Sequence, residues 1–232
     1  MKEVLIQEYN NLTFNKKLKT KPYTFNISFV NGARCEIKGS KSKEFLVEFI
    51  NQDNDKTVYT STITNNMWCK TNLQYYINYL IRVKDKETDE VVHEHSYNAE
   101  GKRVYIHLDS KAIGDTLAWF PYVEEFRKQH NCKVVCSTFH NEWFESNYPD
   151  IEFIPPGTAA YDLYAMYSLG WHYTEEGEID YNKNPTDFRT ISLLETASDI
   201  LGVDHQEIRP NLTFKDLGRK LKEKYITIAN CN

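Results

Sequence analysis

Between residues 23 and 97 the chain alternates apolar and polar side chains in short runs, the period-two pattern of strands with one buried face. Residues 23–30 (YTFNISFV) alternate aromatic or aliphatic with polar positions. Asn31-Gly32 follows, the preferred dipeptide of a two-residue type I′ hairpin, and residues 33–38 (ARCEIK) run back. Residues 44–50 (EFLVEFI) and 57–63 (TVYTSTI) flank a polar turn at 51–56. Residues 73–84 are rich in Tyr and Ile, and after a charged stretch at 85–90 the run 91–97 returns. About six strands with short junctions predict a small antiparallel sandwich or barrel.

The pattern changes near residue 100, where Ala99-Glu100-Gly101-Lys102 reads as a boundary. Beyond it strands alternate with helices. A strand at 104–108 (VYIHL) precedes a helix at 116–130 with apolar residues at Leu117, Phe120, Val123 and Phe126, and a strand at 133–137 follows. The same grammar predicts a short helix at 141–148, a strand at 151–154 closed by Pro155-Pro156-Gly157, and a strand at 161–167. A helix at 189–201 is closed by Gly202 as its C-cap, and a helix at 216–224 leads into a strand at 225–229 (YITIA). Alternation of this kind means a parallel sheet with crossover helices. The expected fold is α/β with an N-terminal all-β domain, residues 1–100, followed by a Rossmann-like half, residues 101–232. The final strand either completes that sheet or opens a second α/β half, and the second option is preferred.

Composition narrows the classes. With 232 residues, 41% of them hydrophobic, the chain can bury one large core or two small ones. A net charge of −5 argues against a general electrostatic grip on nucleic acid or anionic lipid. No apolar run approaches the roughly 20 residues needed to span a bilayer, and the first residues (MKEVLIQEYNN) lack a signal-peptide pattern, so a cytoplasmic protein is expected. The five cysteines form no CxxC pair. Cys132 and Cys136 would lie about 13 Å apart along one strand, too far for a disulfide or a shared metal. Free thiols are expected, and no metal site.

Ligands of open α/β sheets collect outside the carboxyl ends of the strands. The first such loop here is Asp109-Ser110-Lys111-Ala112-Ile113-Gly114-Asp115, leading into Thr116. Gly114 suits a tight turn and a close backbone approach. Asp115 or Thr116 stands where an N-cap belongs, and the partly positive helix start favours a carboxylate there. On residue types alone, N-capping is the commonest job for such an Asp. The functional reading is a general base acting on an acceptor hydroxyl. Ser110 could bind a sugar hydroxyl, and Lys111 could pair with a phosphate or with Asp109. His140 falls at the end of the next strand, a ligand-facing position. His107 lies inside a strand and reads as a core or edge residue. Tyr164, Tyr167, Trp171, His172 and Tyr173 crowd one stretch, as core, interface or acceptor contact. The GxGxxG dinucleotide fingerprint is absent.

The segment HLDSKAIGDTLAWFPYVEEFRKQHNCKVVCSTFHNEWFESNYPDIEFIPPG resembles the bacterial autotransporter O-heptosyltransferases, relatives of the lipopolysaccharide heptosyltransferases. The shared marks are Gly114-Asp115, the run Leu117-Ala118-Trp119-Phe120 and Pro121; Asp109-Ser110-Lys111, Cys136-Ser137-Thr138 and Tyr148-Pro149 extend them. The resemblance implies a GT-B architecture, with the acceptor mainly on the first Rossmann-like half and a nucleotide-sugar donor mainly on the second. It also implies an N-terminal β-domain, and Asp115 as the base that activates a Ser hydroxyl of an autotransporter-like acceptor protein. An inverting displacement on ADP-heptose, without a divalent metal in the chemical step, would follow, and the family precedent is a homo-oligomer. Asp109, Ser110, Lys111, Gly114, Thr116 and His140 are the expected substrate-binding residues. The second half and the cysteine cluster that holds structural iron in the family have no counterpart in the sequence, so no cofactor is expected in this chain. The expectation is an acceptor-side part with little activity alone, whether a truncated piece, a split gene or a remnant. Two rivals stand beside it. One is a protein- or glycan-binding module without chemistry; the other is a nucleotide-binding enzyme in which YITIA completes a small sheet.

Overall fold

The computed structural model describes residues 22–213. The helix and strand expected at 216–224 and 225–229, with Cys231, lie outside the described residues.

Seven antiparallel strands form two sheets. The first has the order β1 (Tyr23–Ser28), β2 (Arg34–Gly39), β5 (Met67–Lys70). The second has the order β4 (Lys56–Thr64), β3 (Glu44–Asn51), β6 (Tyr79–Asp85), β7 (Val91–Ser96). The alternation does what it predicts: Cys35 and Ile37 of β2, Phe45, Val47 and Phe49 of β3, and Tyr79, Ile81 and Val83 of β6 all turn inward into one core. Tyr23 and Phe25 meet the ring of Phe45 edge-on at 4.9 and 6.2 Å, which closes the two sheets face to face. Asn31 and Gly32 have φ of 57° and 101°, both in the left-handed region, but Ser28 pairs with Arg34, so residues 29–33 form a five-residue connection and not the expected two-residue hairpin. A Cβ on Gly32 would come within 2.3 Å of the Thr71 carbonyl oxygen, so that loop passes where only glycine fits.

Two expectations are corrected here. Strand β5 was not predicted, because MWCK is too short to show a period. The expected strand at 73–84 begins only at Tyr79; residues 71–78 form an irregular seam.

The second part is a parallel sheet in the order β10 (Glu152–Phe153), β9 (Lys133–Ser137), β8 (Arg103–Leu108), β11 (Ala165–Leu169). Helix α1 (Ile113–His130) connects β8 to β9, and helix α2 (Leu193–Leu201) follows β11. The 141–148 stretch is not the expected helix: a single 3-10 turn at Asn141–Trp143 is all that forms. There the Asn141 side chain accepts from the Thr138 backbone N–H at 2.8 Å and donates to the Ile154 carbonyl at 2.8 Å, tying the chain into a loop.

Helix α1 buries more than the predicted stripe. Thr116, Ala118, Trp119 and Tyr122 are buried along with Phe120, Val123 and Phe126. The reason is packing on several sides. Trp119 Nε1–H donates to the Leu193 carbonyl at the start of α2 at 2.9 Å, while Phe120 stacks on Phe144 at 3.8 Å. Helix α2 starts at Ser192 with a complete capping box and ends at Gly202 in the left-handed conformation.

One core runs through both parts. Phe29, just beyond β1, pairs in parallel with Ala165: its N–H donates to the Tyr164 carbonyl at 2.7 Å and its carbonyl accepts from Met166 at 3.2 Å. Tyr76 N–H donates to the Ile200 carbonyl at 2.8 Å. The connection after β1 and the 71–78 seam thus brace the β11 edge and α2.

Candidate functional site at the carboxyl edge of the parallel sheet

From β8 the chain leaves through α1 to β9 on one side, and β11 later arrives on the other side of β8. The carboxyl ends of β8 and β11 are therefore the switch point of the sheet, the place where open α/β folds bind ligands. The loop from Asp109 to Asp115 sits there. Its first backbone N–H, on Asp109, donates to the Leu169 carbonyl at 2.8 Å and anchors the loop to the end of β11.

Asp115 is not an N-cap. The N-cap is Ala112, extended at φ −68° and ψ 135°, and Asp115 is the third residue of the helix. Its carboxylate Oδ2 accepts from Ser110 Oγ at 2.6 Å, and Ser110 Oγ accepts from the Ala112 backbone N–H at 3.1 Å. Asp115 is half-buried. Gly114 lies in the first helical turn without positive φ, and a Cβ there would meet open space. It makes no tight turn, contrary to expectation, but it leaves room beside Asp115. Thr116 does not face the switch point. It is fully buried, and its hydroxyl donates to the Ala112 carbonyl at 3.0 Å, so it secures the helix start and has no access to a ligand.

The other loop residues divide by exposure. Asp109 and Lys111 are exposed. Lys111 does not pair with Asp109; its ammonium lies over the Phe139 ring, 5.2 Å from the centroid. The end of β9 supports the loop: His140 Nε2–H donates to the Lys111 carbonyl at 3.2 Å. The His140 ring stacks on Trp143 at 4.0 Å, with planes 9° apart. Phe139 and Trp143 were not singled out by sequence, and nothing in their spacing would have joined them to a loop thirty residues away.

Below Asp109, two histidines approach from β8 and from the chain after β11. Burial holds the imidazoles of His107 and His172 below the usual histidine range, with the Asp109 charge opposing that shift. His172 donates from Nε2 to the Ser168 carbonyl at 3.3 Å. Its backbone N–H donates to buried Asn184 Oδ1 at 3.0 Å, and Asn184 Nδ2 donates to the Gly170 carbonyl at 3.0 Å. Asn184 is a structural clamp on the β11 terminus that sequence reasoning missed. Exposed Trp171 and Tyr173 stand beside it, packed on Phe188 at 6.0 and 5.2 Å, while Tyr164 and Tyr167 are packed inward.

Among the described residues no group of three or more His, Cys, Asp or Glu side chains could hold a metal ion. The four described cysteines are buried thiols, with Cys35 opposite Cys69 across β2 and β5 and no third ligand beside them. Burial pushes the thiols of Cys69 and Cys132 up to about 11 and that of Cys35 to about 12. No described helix is long and apolar enough to cross a membrane.

No family model matches the chain. Individual proteins do. The autotransporter heptosyltransferase Aah of Escherichia coli is 32% identical over 215 residues, 89% of this chain and 50% of the relative. A protein of Burkholderia thailandensis described as an inactive autotransporter heptosyltransferase, BimC, is 33% identical over 141 residues, 60% of this chain and 33% of the relative. The crystal structure of TibC, a dodecameric iron-containing heptosyltransferase in complex with ADP-D-β-D-heptose, superposes with a TM-score of 0.74 at 25% identity, covering 89% of this chain and 52% of that one. The TibC enzyme of enterotoxigenic Escherichia coli is also matched in sequence, at 26% identity over 213 residues. The chain spans about half the length of Aah and TibC. By sequence and by fold it is related to the autotransporter heptosyltransferases and corresponds to about half of such a protein.

Proposed function

We propose that this chain is the acceptor-side part of a glycosyltransferase that moves heptose from ADP-heptose to serine hydroxyls of an autotransporter-like protein. In this reading residues 101–232 form the acceptor half and residues 1–100 the β-domain that braces it. The observation that carries it is the position of Asp115: a half-buried carboxylate in the first βα loop, at the switch point of the sheet, with space beside it at Gly114. Asp115 accepts the proton of the acceptor hydroxyl as that oxygen bonds to the anomeric carbon. The bond from that carbon to the ADP phosphate oxygen breaks, ADP leaves with the electron pair, and configuration inverts. Asp109, Lys111 and His140 line the mouth as candidate contacts for the acceptor. Donor binding belongs to the half of the relatives that this chain does not span, and a homo-oligomer and a cytoplasmic site of action accompany the proposal.

The test uses the transferase polypeptide that carries these residues together with a donor-binding half. Asp115→Asn should lower transfer of labelled heptose to an acceptor protein by about 10²–10⁴-fold, the usual contribution of general base catalysis. Transfer within threefold of the parent would remove Asp115 from the mechanism. A second reading, a protein-binding module without chemistry, is favoured by one observation: a relative at 33% identity is described as inactive. Binding of acceptor protein by both parent and Asp115→Asn, with transfer by neither, would select it.

A further inference from the structure

The two helices of the parallel-sheet region treat the same position differently. In α2 the third helical residue, Glu195, accepts from the N-cap Ser192 backbone N–H at 2.8 Å, while Ser192 Oγ accepts from the Glu195 N–H at 3.2 Å. That is a closed capping box, in which the carboxylate is turned back onto its own helix. In α1 the third helical residue is Asp115, and the N-cap is Ala112, which has no side-chain acceptor. Its backbone N–H would be the natural partner of the Asp115 carboxylate. Ser110 intercepts it: Ser110 Oγ accepts from Ala112 N–H at 3.1 Å and donates its single proton to Asp115 Oδ2 at 2.6 Å.

We propose that Ser110 is the positioning residue of Asp115: by taking the Ala112 N–H it keeps the carboxylate out of a capping box and holds it toward the switch point, with Oδ1 left for the acceptor hydroxyl. This rests on the reading of Asp115 as general base. It also replaces the expected role of Ser110, because a hydroxyl whose one proton goes to Asp115 has none to give to a sugar or phosphate oxygen. One of its two lone pairs is likewise taken by Ala112.

Removing the hydroxyl frees the Ala112 N–H, and a nearby carboxylate satisfies such an orphan donor best. In Ser110→Ala the Asp115 carboxylate therefore swings to within hydrogen-bond distance of Ala112 N, and it is no longer aimed at the acceptor. With the transferase polypeptide described above, kcat should fall about 10- to 100-fold with acceptor KM within twofold of the parent, and Ser110→Thr should recover most of the loss. Ser110→Ala added to Asp115→Asn should cost nothing further. A raised acceptor KM with unchanged kcat would mean that Ser110 touches substrate directly and would overturn the proposal, as would an additive loss in the double variant. A crystal structure of Ser110→Ala separates this from the base assignment, since it reads the carboxylate position without turnover. An Asp115 rotamer unchanged from the parent overturns the positioning role even if Asp115→Asn abolishes transfer. If Ser110→Ala does not fold, Ser110→Cys keeps the volume with a weak donor, and the same structure and kinetics decide.

Discussion

Phe120 couples the Asp115 helix to the loop that carries His140, and its removal can be valued from its surroundings. The side chain is fully buried; it stacks on Phe144 at 3.8 Å with planes 16° apart, meets Tyr148 edge-on at 4.8 Å and lies 5.9 Å from Phe153. Burying a Phe side chain contributes about 1.5–3 kcal/mol by transfer, and a good aromatic pair adds about 0.5–1.5 kcal/mol. The cavity left by Phe120→Ala cannot collapse easily, because three rings held by the loop into β10 and by β10 itself would have to follow it inward. Phe-to-Ala changes in cores cost about 3–5 kcal/mol, and this site belongs near the upper end. That is a third or more of the roughly 5–15 kcal/mol that stabilises an ordinary domain. In urea, with a slope of about 2 kcal/mol/M, the midpoint should fall by about 2 M. The pairing itself is read by a cycle with Phe144→Leu, where a coupling of about 0.5–1.5 kcal/mol is expected. A midpoint shift below about 0.5 M, or a coupling indistinguishable from zero, would refute the view that this stack fixes α1.

Gly202 ends α2 at φ +61°, and a Cβ there would lie 2.1 Å from Cδ1 of Tyr76. Gly202→Ala combines left-handed strain of about 1–2 kcal/mol with overpacking of about 1–3 kcal/mol, so Tm should drop by roughly 5–15 °C. A Tm within about 2 °C of the parent in a thermal melt would show that Tyr76 moves aside freely. His130 packs among Tyr76, Phe126 and Tyr97, and burial lowers its pKa to about 4. The unfolded chain then binds a proton below about pH 6.5 that the folded chain refuses until about pH 4, so stability falls as pH drops through that window. His130→Phe should shrink the fall in urea midpoint between pH 7 and pH 4.5; an equal fall in parent and variant would assign the acid sensitivity to other groups, such as His107 and His172.

Much of this molecule is written in local pattern. Alternation places Phe45, Val47 and Phe49 on one face whatever they pack against, and Asn31-Gly32 can satisfy two positive φ values where almost no other pair can. The Gly114-Asp115 pair marked the loop because its setting, apolar strand before and apolar helix after, is local as well. The short strand β5 and the irregular seam at 71–78 were not legible, since four residues carry no period and a seam is defined by what it lies against. The same limit misplaced Asp115 as an N-cap: helix starts are set by which backbone N–H groups find partners, and Ser110 supplied one that residue types could not reveal. The sequence by itself determined most of the strands, the two long helical segments, the two grammars and the identity of the loop. Only the tertiary structure decided that β11 returns beside β8 to make the switch point there, that Phe29 ties the sandwich to that edge, and that Ser110 Oγ bonds to Asp115. Those are pairings between residues distant along the chain or single hydrogen bonds, which depend on where the backbone is brought and leave no periodic trace in the order of amino acids.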